Sequence, residues 1–162
     1  MTRTRRLALG TSIFAVVLSC AAANTRPATR PFPLASFDTL VGQPNVLIDS
    51  ARSSITRLGM QVAAVSAREG YLETRWFDAR SRTSHRYNTN PEHLVRLRVW
   101  TDLVTPKESQ VVVEAVSRSS VDPSVPDREL EIVSGAGDSL TSTVRTDLKK
   151  AFPAGGKVQQ AR

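Results

Sequence analysis

Two runs of strand-forming residues, Leu94 to Leu103 and Ser109 to Arg118, stand either side of a short turn containing Pro106-Lys107-Glu108. In the first run Val95, Leu97, Val99 and Leu103 alternate with Arg96, Arg98 and Trp100, and in the second Val111 and Val113 alternate with polar neighbours. Period-two alternation sends successive side chains to opposite faces of a strand, so these runs commit the chain to a sheet with one apolar face. Met60 to Ser66 and Tyr71 to Asp78 add two more such runs around an Arg-Glu-Gly turn.

Helical spacing brackets the strands. Pro44 suits a first helical turn, and Ile48, Ala51, Ile55 and Leu58 recur on one stripe before Gly59, which is placed to cap the helix. Near the carboxyl end Asp138 precedes Leu140, Val144, Leu148 and Phe152, with Lys149 and Lys150 at the negative end of the helix dipole. Residues 79–93 form a polar connection, with a short extra strand expected near Arg82 to Tyr87. Residues 121–137, rich in Pro and Gly, are expected to wander, with Leu130, Ile132 and Val133 docking on the domain. The expected fold class is α+β: an antiparallel sheet of about four strands with two helices packed on one face.

The amino terminus points to export. Arg3, Arg5 and Arg6 precede an apolar run, Leu7 to Leu18, shorter than the roughly 18–20 residues a permanent span requires. Two cleavage sites compete. Val17-Leu18-Ser19-Cys20 resembles a bacterial lipobox, which implies lipidation of Cys20 and cleavage before it; Ala21-Ala22-Ala23 is an Ala-x-Ala site that would release a soluble chain from Asn24. Cys20 is the sole cysteine of the 162 residues, where a lipid anchor needs one. The next residue, Ala21, is not Asp, which in Gram-negative lipoproteins implies the outer membrane. The expected organisation is a lipoprotein signal at 1–19, lipidated cysteine and tether at 20–42, one α+β domain at 43–152 and a tail at 153–162.

Residues 1–19 hold three of the 22 basic residues and no acid, so 19 basic and 15 acidic residues remain beyond them, a net +4. The exported compartment disfavours a nucleic-acid partner and leaves anionic headgroups or acidic protein surfaces. The expected partners are the membrane, through lipid on Cys20, and an envelope protein.

Alternation places Leu72, Trp76, Val95, Leu97, Val99, Leu103, Val111 and Val113 toward the helices. It leaves Tyr71, Glu73, Arg75, Phe77, Arg96, Arg98, Trp100, Glu114 and Arg118 on the opposite face. Arginines alternating with aromatics can grip a partner, which nominates Tyr71, Arg75, Arg96, Arg98 and Trp100 as a partner-binding set. The competing reading is a solvated ladder in which Glu73 and Glu114 sit across from Arg96 and Arg98, each pair contributing about 0.2–1 kcal/mol.

Catalytic signals are weak. His85 and His93 flank an irregular loop without metal-ligand spacing, and no Ser lies in a Gly-x-Ser-x-Gly turn. Asp78, Asp102, Asp122 and Asp127 fall in turns, where carboxylates commonly bind nearby backbone. Gly135-Ala136-Gly137 lacks the lysine and hydroxyl of a phosphate loop. No catalytic residue, cofactor or metal is therefore expected. The alternative is a small periplasmic enzyme or ligand-binding domain with a pocket between sheet and helices, anchored by His85 or His93. Edge-strand pairing between copies of the chain is a third reading.

Leu58-Gly59-Met60 closing a helix, Gly70-Tyr71-Leu72-Glu73-Thr74-Arg75-Trp76 opening a strand, and two long strands before a last helix resemble a helix-grip domain. Behind a lipobox, residues 43–152 are similar to the BamC-like lipoproteins of outer-membrane β-barrel assembly. The resemblance implies a non-catalytic accessory lipoprotein of the envelope. That family is generally longer, with two such domains.

Overall fold

The computed structural model describes residues 26–33, 35–84, 93–120, 122 and 124–154. Cys20, the expected signal at 1–19, His85 and the expected tail from residue 155 lie outside them. Among the described residues, β6 (Leu94–Thr105) and β7 (Glu108–Arg118) form the central antiparallel hairpin, with Arg98 opposite Glu114 and Trp100 opposite Val112. The hydroxyl of Thr105 accepts the backbone N–H of Lys107 at 3.3 Å and of Glu108 at 3.1 Å, which closes the turn.

The other strands attach to this hairpin in pairs. β1 (Phe37–Val41) and β8 (Glu131–Val133) share the outer edge of β7, while β3 (Tyr71–Thr74) and β4 (Phe77–Asp78) share the outer edge of β6. Beyond these lie β2 (Val62–Ser66), paired with β3, and β5 (Thr83–Ser84), paired with β4. Three α-helices accompany the sheet: α1 (Pro44–Arg57), the single turn α2 (Asp127–Leu130) and α3 (Asp138–Ala151).

The expectation of about four strands and two helices is thus corrected to an eight-stranded antiparallel sheet with three helices. The run from Tyr71 to Asp78 is two strands because of a bulge. Glu73 faces Arg98 whereas Phe77 faces Val95, so four steps on one strand span three on the other. At the break Thr74 Oγ1 accepts the N–H of Leu97 at 3.0 Å, and Arg75 turns its own N–H to the carbonyl of Gln61 at 2.7 Å. The extra residue reverses the faces beyond it. Phe77 therefore enters the helix-side core and Trp76 packs on the other side with Leu94 and Val116, the opposite of simple alternation. The expected short strand near Arg82 to Tyr87 is present as β5, Thr83–Ser84, as far as the described residues reach; the remaining additions come from segments with little alternation, β1 from within 20–42 and α2 and β8 from 121–137.

α1 and α3 bury Leu47, Ile48, Ala51, Ile55, Leu140, Val144 and Leu148 against Leu40, Leu72, Val95, Leu97, Val99 and Val111. Each large side chain so buried stabilises the fold by about 1.5–3 kcal/mol. α1 ends as its sequence predicts. Gly59 adopts φ 84°, its N–H donates to Thr56 O at 3.0 Å, and the N–H of Met60 donates to Ile55 O at 3.2 Å, satisfying two terminal carbonyls. α3 is tied to β1 by Asp38, which receives Arg145 Nε at 2.7 Å and Lys149 Nζ at 2.8 Å.

Candidate functional site

The sheet face away from α1 and α3 carries the charged and aromatic side chains nominated from sequence. Arg98 lies at its centre. Its Nε donates to Glu73 Oε2 at 2.7 Å, and its two terminal nitrogens donate to Glu131 at 2.8 and 2.6 Å, a bidentate pair. Glu114 Oε1 stands 3.9 Å from the same guanidinium. Arg96 reaches Glu73 at 3.4 Å and Glu131 at 3.3 Å, and its guanidinium stacks 4.3 Å from the Trp76 ring centre. Arg118 approaches that ring from 5.1 Å.

The aromatics are bonded into the same network. Tyr71 OH donates to Glu73 Oε2 at 2.7 Å, and its ring meets that of Trp100 at a 4.6 Å centroid distance. Trp100 Nε1 donates to Glu114 Oε1 at 3.3 Å. Burial by itself pushes the Glu73 carboxyl up, but Arg96, the Tyr71 hydroxyl and Arg98 together hold it below the ordinary glutamate value. Burial, and then the bond to Glu73, raise the Tyr71 hydroxyl; Arg98 is also raised, because Glu131 and Glu73 overcome the desolvation of its charge. The network is arranged to keep its charges.

This face is covered rather than open. The described residues 26–33, 35 and 36, which precede β1, cross it as a strap. At one end Arg26 forms a two-point pair with Asp102 at 2.6 and 2.9 Å, stacks 5.3 Å from the Trp100 ring, and bonds through its backbone N–H to the Glu69 carboxylate. At the other end Phe32 packs against Trp76, Leu94 and Val116, and its N–H donates to Glu114 Oε2 at 2.8 Å. Arg128 of α2 clasps the strap, donating to Arg30 O at 2.9 Å and lying 4.7 Å from the Phe32 ring while reaching Glu131 at 3.4 Å.

Tyr71, Arg98 and Trp100 are consequently brought together but are 2%, 5% and 0% exposed, and Arg96 is half-buried beside them. Arg75 sits at the bulge, half-buried, with no ion pair to the cluster among the described residues. The ladder reading holds in its pairing, because Glu73, Arg98 and Glu114 form one cross-strand row, and is corrected in its setting, which is buried and not solvated. Sequence reasoning missed Glu131, Arg128, Arg26 and Phe32. The signal for Glu131 is an acid beside Leu130 and Ile132 in a short apolar stretch; no pattern marks Arg26 as a partner of Asp102, 76 residues away.

Two other features bear on chemistry. His93 is half-buried at the start of β6, and its carbonyl accepts the N–H of Ala79 at 2.9 Å. A recess of about 260 Å³ opens where β7 passes from β1 to β8, between the strap and the start of α3, lined by Phe32, Glu114, Ser134, Asp138, Thr141 and Arg145. Among the described residues no group of three or more His, Cys, Asp or Glu is placed to hold a metal, and no helix is long and apolar enough to cross a membrane. The chain matches no family model and no curated protein.

Proposed function

We propose that this chain is a non-catalytic lipoprotein of the cell envelope, held at the outer membrane through Cys20 and acting there as an accessory, protein-binding module, as the resemblance to BamC-like lipoproteins implies. One observation carries the reading: Arg26, only six residues after the lipobox cysteine, is already clamped to Asp102 and Glu69 of the domain. Six residues span at most about 22 Å, so lipid on Cys20 keeps the domain at the bilayer surface. The non-catalytic part is supported by the pairing of the central Arg, Glu and Tyr groups with one another, an arrangement that fixes structure. A partner docks outside the strap-covered set of Tyr71, Arg98 and Trp100, or displaces the strap to reach it.

Intact mass and membrane fractionation of the wild type and Cys20→Ala test this directly. The expected result is a lipid-bearing chain starting at Cys20 that becomes soluble in the variant. A soluble wild-type chain starting at Asn24 sinks the anchor. The recess beside Glu114 and Arg145 favours a second reading, small polar-ligand binding, whose test is native mass spectrometry of the freshly isolated chain for a co-purifying compound.

A further inference from the structure

Large apolar side chains left in solvent are not scattered over this domain. Seven are recorded among the described residues, and four of them, Val41, Val46, Leu103 and Val104, lie at the same end of the sheet. Leu103 and Val104 close β6 at the central hairpin tip and are 53% and 59% exposed. The β1–α1 junction is bonded to that tip: Gly42 N–H donates to Lys107 O at 2.9 Å, and Gln43 Nε2 donates to Pro106 O at 2.6 Å. This brings Val41 and Val46 alongside. Lys107 is exposed on the tip, and Arg68 is exposed in the neighbouring β2–β3 turn, where Gly70 O accepts the N–H of Thr101. Of the acids around the tip, Glu69 and Asp102 are engaged by Arg26, while Glu108, next to Lys107 and opposite Val41, is half-buried.

Arg26 enters at this same end, so the chain leading back to Cys20 departs from beside the tip. A protruding apolar edge flanked by cations is suited to the boundary between headgroups and acyl chains, where aliphatic groups leave water and Lys and Arg meet lipid phosphates. We propose that this end of the domain lies on the bilayer, with Leu103 and Val104 entering the headgroup region and Lys107 and Arg68 contacting phosphates. The proposal rests on the lipid-anchor reading for its orientation.

The test couples the mature chain, from Cys20 onward, through its thiol to a maleimide lipid in phosphatidylethanolamine–phosphatidylglycerol vesicles. Attachment then does not depend on cellular lipidation, which the intact-mass experiment decides separately. Val104→Trp is compared with Ile132→Trp, at a site 50% exposed against 59% and on β8 toward the other end, and the signal of the buried native Trp76 and Trp100 is subtracted. Brominated lipids are expected to quench position 104 at least about twofold more than position 132, the signature of insertion at the interface. Equal quenching overturns the proposal. Shielding of position 104 from aqueous iodide without bromolipid quenching also overturns it, and assigns the patch to contact between copies of the chain.

Discussion

Replacing Arg98 with Met is the sharpest perturbation of the buried network. Arg98 serves Glu131, whose side chain is fully buried, Glu114 at 3% exposure and Glu73 at 18%. Removing one partner from a buried ion pair typically costs 3–5 kcal/mol, because a desolvated charge is left behind. The lower end applies here: Glu131 keeps Arg96 at 3.3 Å and Arg128 at 3.4 Å, and Glu73 keeps Tyr71 and Arg96. The expected loss is about 3 kcal/mol, equivalent to a fall in Tm of about 10–15 °C for a domain of this size.

Urea unfolding at neutral pH measures the loss, with an unchanged slope showing that the native state stays compact. Adding Glu131→Met removes the buried carboxylate that lost its bidentate partner, so the double variant should recover at least about 1.5 kcal/mol relative to additivity. A pH series supplies an independent sign. Glu73 is held below its ordinary value of 4.5 in the folded chain, so its contribution is complete above that pH and is lost as the pH falls through the lowered native value. The variant lacks the Arg98 part of that contribution, and the gap between wild type and Arg98→Met should narrow below pH 4.5. A single-variant loss under about 1 kcal/mol, or strict additivity, refutes the view that the network stabilises the fold as a unit.

Three further outcomes follow from local geometry. Gly70 has φ 67°, and a Cβ there would stand 2.1 Å from Thr101 O, so Gly70→Ala should displace the β2–β3 turn and cost well over 1 kcal/mol by thermal melting. At Gly59, which has the same sign of φ but nothing within 4 Å, alanine should cost only about 1 kcal/mol. Arg26→Ala should lower global stability by less than about 1 kcal/mol, because Asp102 is 59% exposed, yet markedly increase acrylamide quenching of Trp100 fluorescence; unchanged quenching would mean that the strap does not cover that ring.

The elements most legible in the sequence are those specified by their own residues. α1 follows from Pro44, the Ile48, Ala51 and Ile55 stripe and Gly59; the central hairpin follows from two alternating runs and a polar turn. β1, β4 and β8 are five residues or fewer and exist because the longer β6 and β7 offer them an edge, information that sits elsewhere in the chain; the two-residue β5 pairs in turn with β4. The face reversal at Phe77 depends on one inserted residue, and alternation alone carries no mark of where a bulge falls. At the candidate site Tyr71, Arg96, Arg98 and Trp100 were legible as one face, but Arg75 stands apart from the cluster, Glu131 was missed, and the burial of the face was not legible. Alternating Arg and aromatic residues specify a face, and whether solvent or chain covers it was decided by residues 26–36, whose three prolines near Arg26 and Phe32 read equally well as a spacer.

The strap changes what the tether and the sheet face can do for each other. Its described backbone hydrogen bonds run to side chains, such as Phe32 N–H to Glu114, or close its own turn at Ala35, and none forms a ladder with a strand. A segment held this way opens at lower free energy than the sheet beneath it. Opening exposes Tyr71, Arg98 and Trp100 together, since Arg26, Phe32 and Arg128 cover one continuous cluster. A partner of that cluster therefore binds with its intrinsic affinity reduced by the fraction of molecules in which the strap is open. Weakening the clasp with Arg26→Ala raises that fraction and must raise such an affinity, whereas binding at the β1 edge is left unchanged. The direction of one variant thus separates a partner that reads the buried face from one that reads the surface around it.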